Sequence, residues 1–194
     1  MKDWSSSSPD PLPHNLRMAL RLATRPEHDR LDRLVSGLDI SHRADFAHFC
    51  RMHHAAFSAV ARRCGAPGLH RAVDALAQDL EILGEAPPSL NLFLPDLDPL
   101  ASSYIFEGSR LGSQLLRYSW EASTDDRVRT ANRYFSLERD SVSWRSLCEM
   151  LSSIDSHGQR GERIIRDTRR VFDQFARAFI LTAPTPFRPV VSEQ

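Results

Sequence analysis

The feature that most constrains the fold is an apolar stripe at the centre of the chain, whose members recur at every fourth position: Leu100, Tyr104, Gly108, Gly112 and Leu116. This spacing places them on one face of an α-helix, predicted from Asp98 to Ser119 with Pro99 in its first turn. The face should be buried, yet each central glycine costs a helix interior roughly 1 kcal/mol relative to alanine. The glycines therefore indicate a tight helix crossing, a kink, or a flat ligand lying against the backbone.

The remainder of the chain predicts a single all-α domain. With 194 residues, 41% of them hydrophobic, the chain can bury one sizeable core. Helical periodicity recurs in most segments and no stretch alternates as a strand would, which predicts a bundle of about seven helices. The helical domain is predicted over residues 14–182, with a disordered polar tail at 1–13 and a second tail at 183–194.

Charge and composition exclude several classes of partner. The formal net charge is zero, so no overall field favours nucleic acid or an anionic membrane. No segment approaches the ~18 consecutive apolar residues that span a bilayer, and no apolar run follows the N-terminus, which predicts a cytoplasmic protein. The three cysteines are expected to be reduced core residues. Lys2 is the only lysine, so any bound carboxylate would be gripped by arginine.

A capping box is predicted at Thr24-Arg25-Pro26-Glu27. Thr24 would be the N-cap of a new helix, Glu27 would reach back to the Thr24 backbone, and Pro26 would sit harmlessly in the first turn. The sequence therefore predicts that a helix begins at Thr24.

The histidines do not form a recognisable protein-only metal motif. Eight are present, but His53 and His54 are adjacent and point to different faces, and no His-Glu-x-x-His, Glu-x-x-His or Cys-x-x-Cys pattern occurs. Nucleotide-binding loops and nucleophile elbows are also absent from the sequence. His28 and Asp32 remain, one helical turn apart. Their spacing fits either a surface ion pair or a ligating imidazole oriented by a carboxylate.

Two distant motifs resemble those of one family. The segment from Leu20 to Asp32 resembles the proximal-helix motif of heme oxygenases, and the segment from Tyr104 to Leu116 resembles their distal helix, particularly in bacterial members. The resemblance in helix order covers residues 14–182. It implies that His28 is the axial ligand of heme iron, with Asp32 as its carboxylate partner. Gly108, Ser109 and Gly112 would then form the distal catalytic wall.

The resemblance implies further residues around a heme. Arg21 falls where the family places a cation for a heme propionate, and Arg169 is a second candidate. Tyr104 could offer a hydroxyl to a propionate and Phe172 could line the pocket, but both residues also fit an ordinary core position. Ser109 departs from the animal-type pattern, which has an aspartate at this position that holds the proton-delivering water network.

The implied activity is O2-dependent cleavage of heme, which serves as substrate and cofactor, to biliverdin, CO and Fe2+. Electrons would come from ferredoxin or another reductase, because the chain has no flavin or nicotinamide motif and too few cysteines for an iron–sulfur cluster. The product would serve iron acquisition or pass to a biliverdin acceptor such as a phytochrome. Two alternatives remain open: a non-catalytic heme or bilin carrier on the same fold, and a purely structural or partner-binding helical protein in which the glycines are helix contacts.

Overall fold

The computed structural model describes residues 12–64, 68–138 and 141–184, which form eight helices and, apart from one isolated bridge between Asn15 and Asp155, no extended pairing. In chain order the helices are α1 (Leu16–Ala23), α2 (Arg25–Val35), α3 (Arg43–Ala61), α4 (Leu69–Leu83), α5 (Pro99–Glu121), α6 (Asp126–Thr130), α7 (Ser141–Ser152) and α8 (Gln159–Leu181). The prediction of an all-α fold is confirmed. Most of the two predicted tails lies outside the described residues.

The main core is built around α3, which packs most extensively against α4 and α8. Phe49 on α3 is wholly buried, and its ring centroid lies 5.9 Å from that of Phe135 and 6.1 Å from that of Tyr134. Apolar residues surround nearly the whole of α3, so its position is set by packing. The cysteines are buried and free, as expected: Cys50, Cys64 and Cys148.

A smaller core joins α1, α7 and parts of α5 and α8. Its fully buried members include Leu16, Leu20, Ala101, Leu151 and Ile164. Because α5 and α8 contribute to both cores, these two long helices hold the two halves of the bundle together.

The predicted helix start at Thr24 is confirmed, but the capping box is wrong. The Thr24 hydroxyl donates to the carbonyl oxygen of Leu20, 2.7 Å away, and its backbone N–H bonds the same oxygen at 2.9 Å. Since α1 runs directly into α2, these groups are already used by the preceding turn. Glu27 instead forms an ion pair with Arg169 on α8, with 3.4 Å between carboxylate oxygen and Nε. This contact ties α2 to α8.

The predicted start of the central helix is confirmed. Asp98 caps α5 by accepting a hydrogen bond from the Leu100 backbone at 2.9 Å, and Pro99 lies in the first turn. The prediction that the four-residue stripe is buried is wrong. Gly112 is exposed and the other members are half-buried. The buried residues of α5 belong instead to a neighbouring face: Ala101, Ser102, Ile105, Phe106, Ser113 and Trp120.

None of the helices in the described ranges is long and apolar enough to cross a bilayer.

Candidate functional site

Four of the five stripe residues on α5 line a cavity of about 610 Å³: Tyr104, Gly108, Gly112 and Leu116. Leu100 packs against the smaller core instead. Residues of α2, α3, α5 and α8 form its walls, with Trp144 of α7 at one side. The lining is predominantly aliphatic and aromatic, and the volume falls in the range of small-molecule and cofactor sites. The cavity is therefore the first place to look for a ligand.

The two glycines of the stripe leave open space in the cavity wall. A Cβ atom placed on Gly108 or Gly112 would meet no atom within 4 Å. A tight helix crossing would place backbone or side-chain atoms there, so that interpretation is excluded. The helix continues through both glycines, from Pro99 to Glu121. The two glycines thus leave a bare strip of backbone about 6 Å long, on which a flat ligand can lie.

A histidine–carboxylate pair lies on the α2 wall. His28 Nδ1 is 3.0 Å from the Asp32 carboxylate, and both residues line the cavity. An Nδ1–H held by this carboxylate fixes the imidazole tautomer and leaves Nε2 with the lone pair that binds a metal. The His28 ring also contacts Phe172 edge-on, with 5.7 Å between centroids. This geometry fits both an ordinary surface ion pair and an imidazole that is held by a carboxylate as a metal ligand.

Three hydroxyl groups lie beside the glycines. Ser109 Oγ donates to the Phe106 carbonyl at 2.8 Å, and Ser113 Oγ donates to the Ser109 carbonyl at 2.9 Å. Ser113 Oγ also lies 3.4 Å from the Tyr134 hydroxyl. Burial raises the pKa of Tyr134, and its hydrogen bonds with Ser113 and Ser109 oppose that shift. The phenol is therefore protonated at neutral pH.

Ser113 connects the cavity to the surface. It lines the main cavity, and with Tyr134 and Arg110 it also lines a separate cleft of about 430 Å³. Sequence reasoning did not select Ser113 or Tyr134. Ser113 lies one turn after Ser109, so helical spacing could have found it, whereas Tyr134 follows α6 and reaches this helix only through the tertiary fold.

His53 is a further cavity residue that sequence reasoning set aside. It is buried on α3, and its Nδ1 donates to the Phe49 carbonyl at 2.9 Å. Burial lowers the pKa of His53 to about 4. The imidazole is therefore neutral at physiological pH, with Nε2 as its acceptor nitrogen.

Tyr104 and Arg21 lie at one edge of the site. Tyr104 lines the cavity and stacks on Trp144, with ring centroids 6.0 Å apart. Burial raises the pKa of Tyr104, while the nearby guanidinium groups of Arg21 and Arg17 partly offset the shift. Arg21 is exposed and outside the cavity lining, but it is close enough to Tyr104 for its charge to be felt.

Arg169 is placed differently from the other predicted site residues. Its guanidinium donates two hydrogen bonds to the Ala23 carbonyl, at 2.9 and 2.7 Å, besides its ion pair with Glu27. It does not line the cavity. The cavity wall does bring together seven residues selected from sequence: His28, Asp32, Tyr104, Gly108, Ser109, Gly112 and Phe172.

Comparison with known proteins shows a similarity of fold and none of sequence family. No protein-family model and no curated protein sequence matches the chain. A solved structure does match: the heme oxygenase of Neisseria meningitidis, in its NO- and CO-bound forms, with a TM-score of 0.64. The match covers 91% of this chain and 100% of that one, at 20% sequence identity. The chain thus has the all-α heme oxygenase fold.

Proposed function

We propose that this protein is a heme oxygenase that binds heme in the cavity lined by α2 and α5 and cleaves it to biliverdin, CO and Fe2+. The observation that carries the proposal is the open strip at Gly108 and Gly112, in a cavity that also holds the His28–Asp32 pair. The similarity to a heme oxygenase of the same fold supports it.

The residues of the cavity fit a heme. The macrocycle is flat and apolar, which suits an aliphatic and aromatic lining with a strip of backbone free of side chains. Its iron needs a neutral nitrogen donor, which His28 offers through Nε2. Bound heme would supply the iron centre at which O2 is activated. The protein's own residues would hold and orient the heme and would deliver protons to the reaction.

On the α2 side, His28 would bind the iron and Asp32 would keep its imidazole in the correct tautomer and orientation. Phe172 would fix the ring plane of His28 through their edge-on contact. On the α5 side, Gly108 and Gly112 would let the macrocycle approach the helix backbone.

For the heme propionates, Arg21 is the better candidate cation. It is exposed and near Tyr104, whose hydroxyl would share a propionate with it. A guanidinium binds a carboxylate through two parallel hydrogen bonds. Arg169 would first have to release the Ala23 carbonyl and Glu27. We therefore assign the first propionate to Arg21 and Tyr104, and Arg169 remains a second candidate.

The proton route would run through hydroxyls rather than through a carboxylate. Ser109 stands where the animal-type pattern has aspartate, and Ser113 and Tyr134 continue from it toward the surface cleft. Such groups can order water in the cavity and pass a proton along it, since each is both donor and acceptor. Tyr134, held protonated by burial, would be the donor nearest the cleft.

Electrons would come from a separate donor, for which ferredoxin or another reductase is the expected partner. We also propose a cytoplasmic location, with iron release or transfer of biliverdin to an acceptor such as a phytochrome as the purpose.

The experiment is turnover of the hemin complex in air with ascorbate, or with ferredoxin and its reductase. We expect the Soret band to decay while bilin absorbance rises and CO is released. A stable Soret band without bilin would contradict the enzyme and favour the heme carrier instead. The structural protein would form no complex.

The hydroxyl route is tested separately by Tyr134→Phe. We expect the variant to bind hemin normally and to form bilin roughly 100-fold more slowly, in the range by which positioned proton donors act. Tyr118→Phe is the matched control, because Tyr118 is an exposed tyrosine on α5. Equal rates in wild type and Tyr134→Phe would remove Tyr134 from the route.

A further inference from the structure

Outside the cavity, three side chains converge where the segment before α1 meets the connection between α7 and α8. Asp155 Oδ1 lies 3.2 Å from His14 Nδ1 and 3.7 Å from His157 Nδ1. The two imidazole rings are 4.6 Å apart between centroids. Among the described residues, these three are the histidine, cysteine and carboxylate side chains whose donor atoms lie close enough together to share one metal ion.

We propose that His14, Asp155 and His157 form a binding site for a Zn2+-type divalent ion. Zinc takes imidazole nitrogen and carboxylate oxygen at about 2.0–2.2 Å in a tetrahedral arrangement. In such a tetrahedron two ligand atoms lie about 3.3–3.6 Å apart. The two measured nitrogen–oxygen separations bracket this distance. Water would complete the fourth position, and only one of three donors is oxygen, which disfavours Ca2+ and Mg2+.

The backbone holds the two segments together before any ion binds. The Ser156 N–H donates to the His14 carbonyl at 2.8 Å, and Ser156 Oγ donates to the Pro13 carbonyl at 2.6 Å. The Leu16 N–H adds a bond of 3.1 Å to the Ile154 carbonyl. The ligands are therefore brought close by the fold. Binding requires rotation of exposed side chains, and His157 Nδ1 would leave its 3.1 Å contact with Ser156 Oγ.

The site is separate from the proposed heme chemistry. None of the three residues lines the cavity. His14 and Asp155 are in hydrogen-bond contact, which a bound ion would replace. The ion would link residues 141 positions apart in sequence and brace the N-terminal segment against the α7–α8 connection.

Zn2+ titration of the full, tag-free protein by calorimetry tests the proposal, with the spectrum of bound Co2+ as a second measurement. We expect one ion per chain, a rise in Tm with Zn2+, tetrahedral Co2+ bands, and weaker binding as pH falls because protons compete. Asp155→Asn and His157→Ala should each weaken binding at least about tenfold. His42→Ala should not, because His42 contacts Asp39 at 2.9 Å but has no second imidazole.

His14→Ala shows whether a loss of zinc binding is due to misfolding. The His14 side chain is exposed, so its removal should leave the fold intact. Its helical circular dichroism should match wild type while zinc affinity falls. Absence of saturable binding, or binding unchanged by His14→Ala and His157→Ala, would overturn the site without bearing on heme binding.

Discussion

Two walls of the same cavity are built in opposite ways. The α3 wall is part of the protein core: Phe49 and Met52 are wholly buried and His53 nearly so. The α2 wall, which carries His28 and Leu31, contains no fully buried residue. Packing therefore holds α3 in place whatever the cavity contains, whereas α2 is held less firmly, through partly buried residues such as Leu31 and Val35 that pack against the main core.

The central helix combines both kinds of wall. One face of α5 packs Ile105, Phe106 and Trp120 into the core, while the neighbouring face presents Gly108 and Gly112 to open space. The packed face fixes where the helix lies, so the glycine strip is held at a defined distance from His28. A rigid support beneath an open surface is what a preformed cofactor site needs.

The largest expected difference between the walls is in stability. Phe49→Ala should lower the free energy of unfolding by about 3–5 kcal/mol, because it empties a close-packed site. Leu31→Ala, on the half-buried face of α2, should lower it by about 1 kcal/mol or less in the ligand-free protein. Urea unfolding of both variants measures this. Equal losses would show that α2 is as firmly packed as α3.

The packed wall should also make stability depend on pH. Below its ordinary pKa near 6.5, His53 takes up a proton in the unfolded chain, but the folded protein resists protonation until about pH 4. The free energy of unfolding should therefore fall by up to about 3 kcal/mol as pH drops from 6.5 to 4.

His53→Leu isolates this contribution. Other histidines titrate in the same window, since burial also lowers the pKa of His48 and His54. The difference between the wild-type and His53→Leu curves is therefore the quantity to follow. A difference that stays constant from pH 7 to 4 would place His53 in contact with water.

The smallest change in the free energy of unfolding is expected on the open glycine face of α5. Gly108→Ala should raise the free energy of unfolding by about 0.5–1 kcal/mol, because alanine favours the helix and its methyl group meets nothing. The same methyl group should weaken hemin binding, since it occupies the ligand's place. Thermal unfolding and a hemin titration measure the two effects.

Gly161→Ala on α8 is the matched control. There a Cβ would press on the Asp155 carbonyl and lie 2.7 Å from Ser156 Cα, so the variant should be destabilised. Destabilisation by Gly108→Ala as well would mean that the α5 face is packed after all.

Helical spacing predicted the elements well but not what covers them. The start of α5 was predicted correctly with the help of Pro99 in its first turn, because signals at a helix end act within one turn. The same periodicity wrongly predicted a buried stripe. The sequence pattern of an apolar helix face is the same whether that face packs against protein or lines a cavity. At Thr24 the sequence could not show that α1 would reach far enough to use the groups of the predicted cap.

The candidate site was predictable where its residues share a helix. His28 and Asp32 are related by one turn, and so are Gly108 and Gly112. The contacts of Arg169 were not predictable, because its partner is the backbone carbonyl of Ala23, 146 positions earlier. Only the tertiary fold brings such distant groups together, so no local sequence pattern can predict their contact.

A hemin titration of the ligand-free protein, followed by its Soret band, tests the central claim most directly. We expect one saturable complex per chain, with at least about tenfold weaker binding and an altered ferric-heme spectrum in His28→Ala. His42→Ala, which removes another exposed histidine that is paired with a carboxylate, Asp39, should behave as wild type. No saturable complex, or one that His28→Ala leaves unchanged, would contradict the assignment of this cavity to heme.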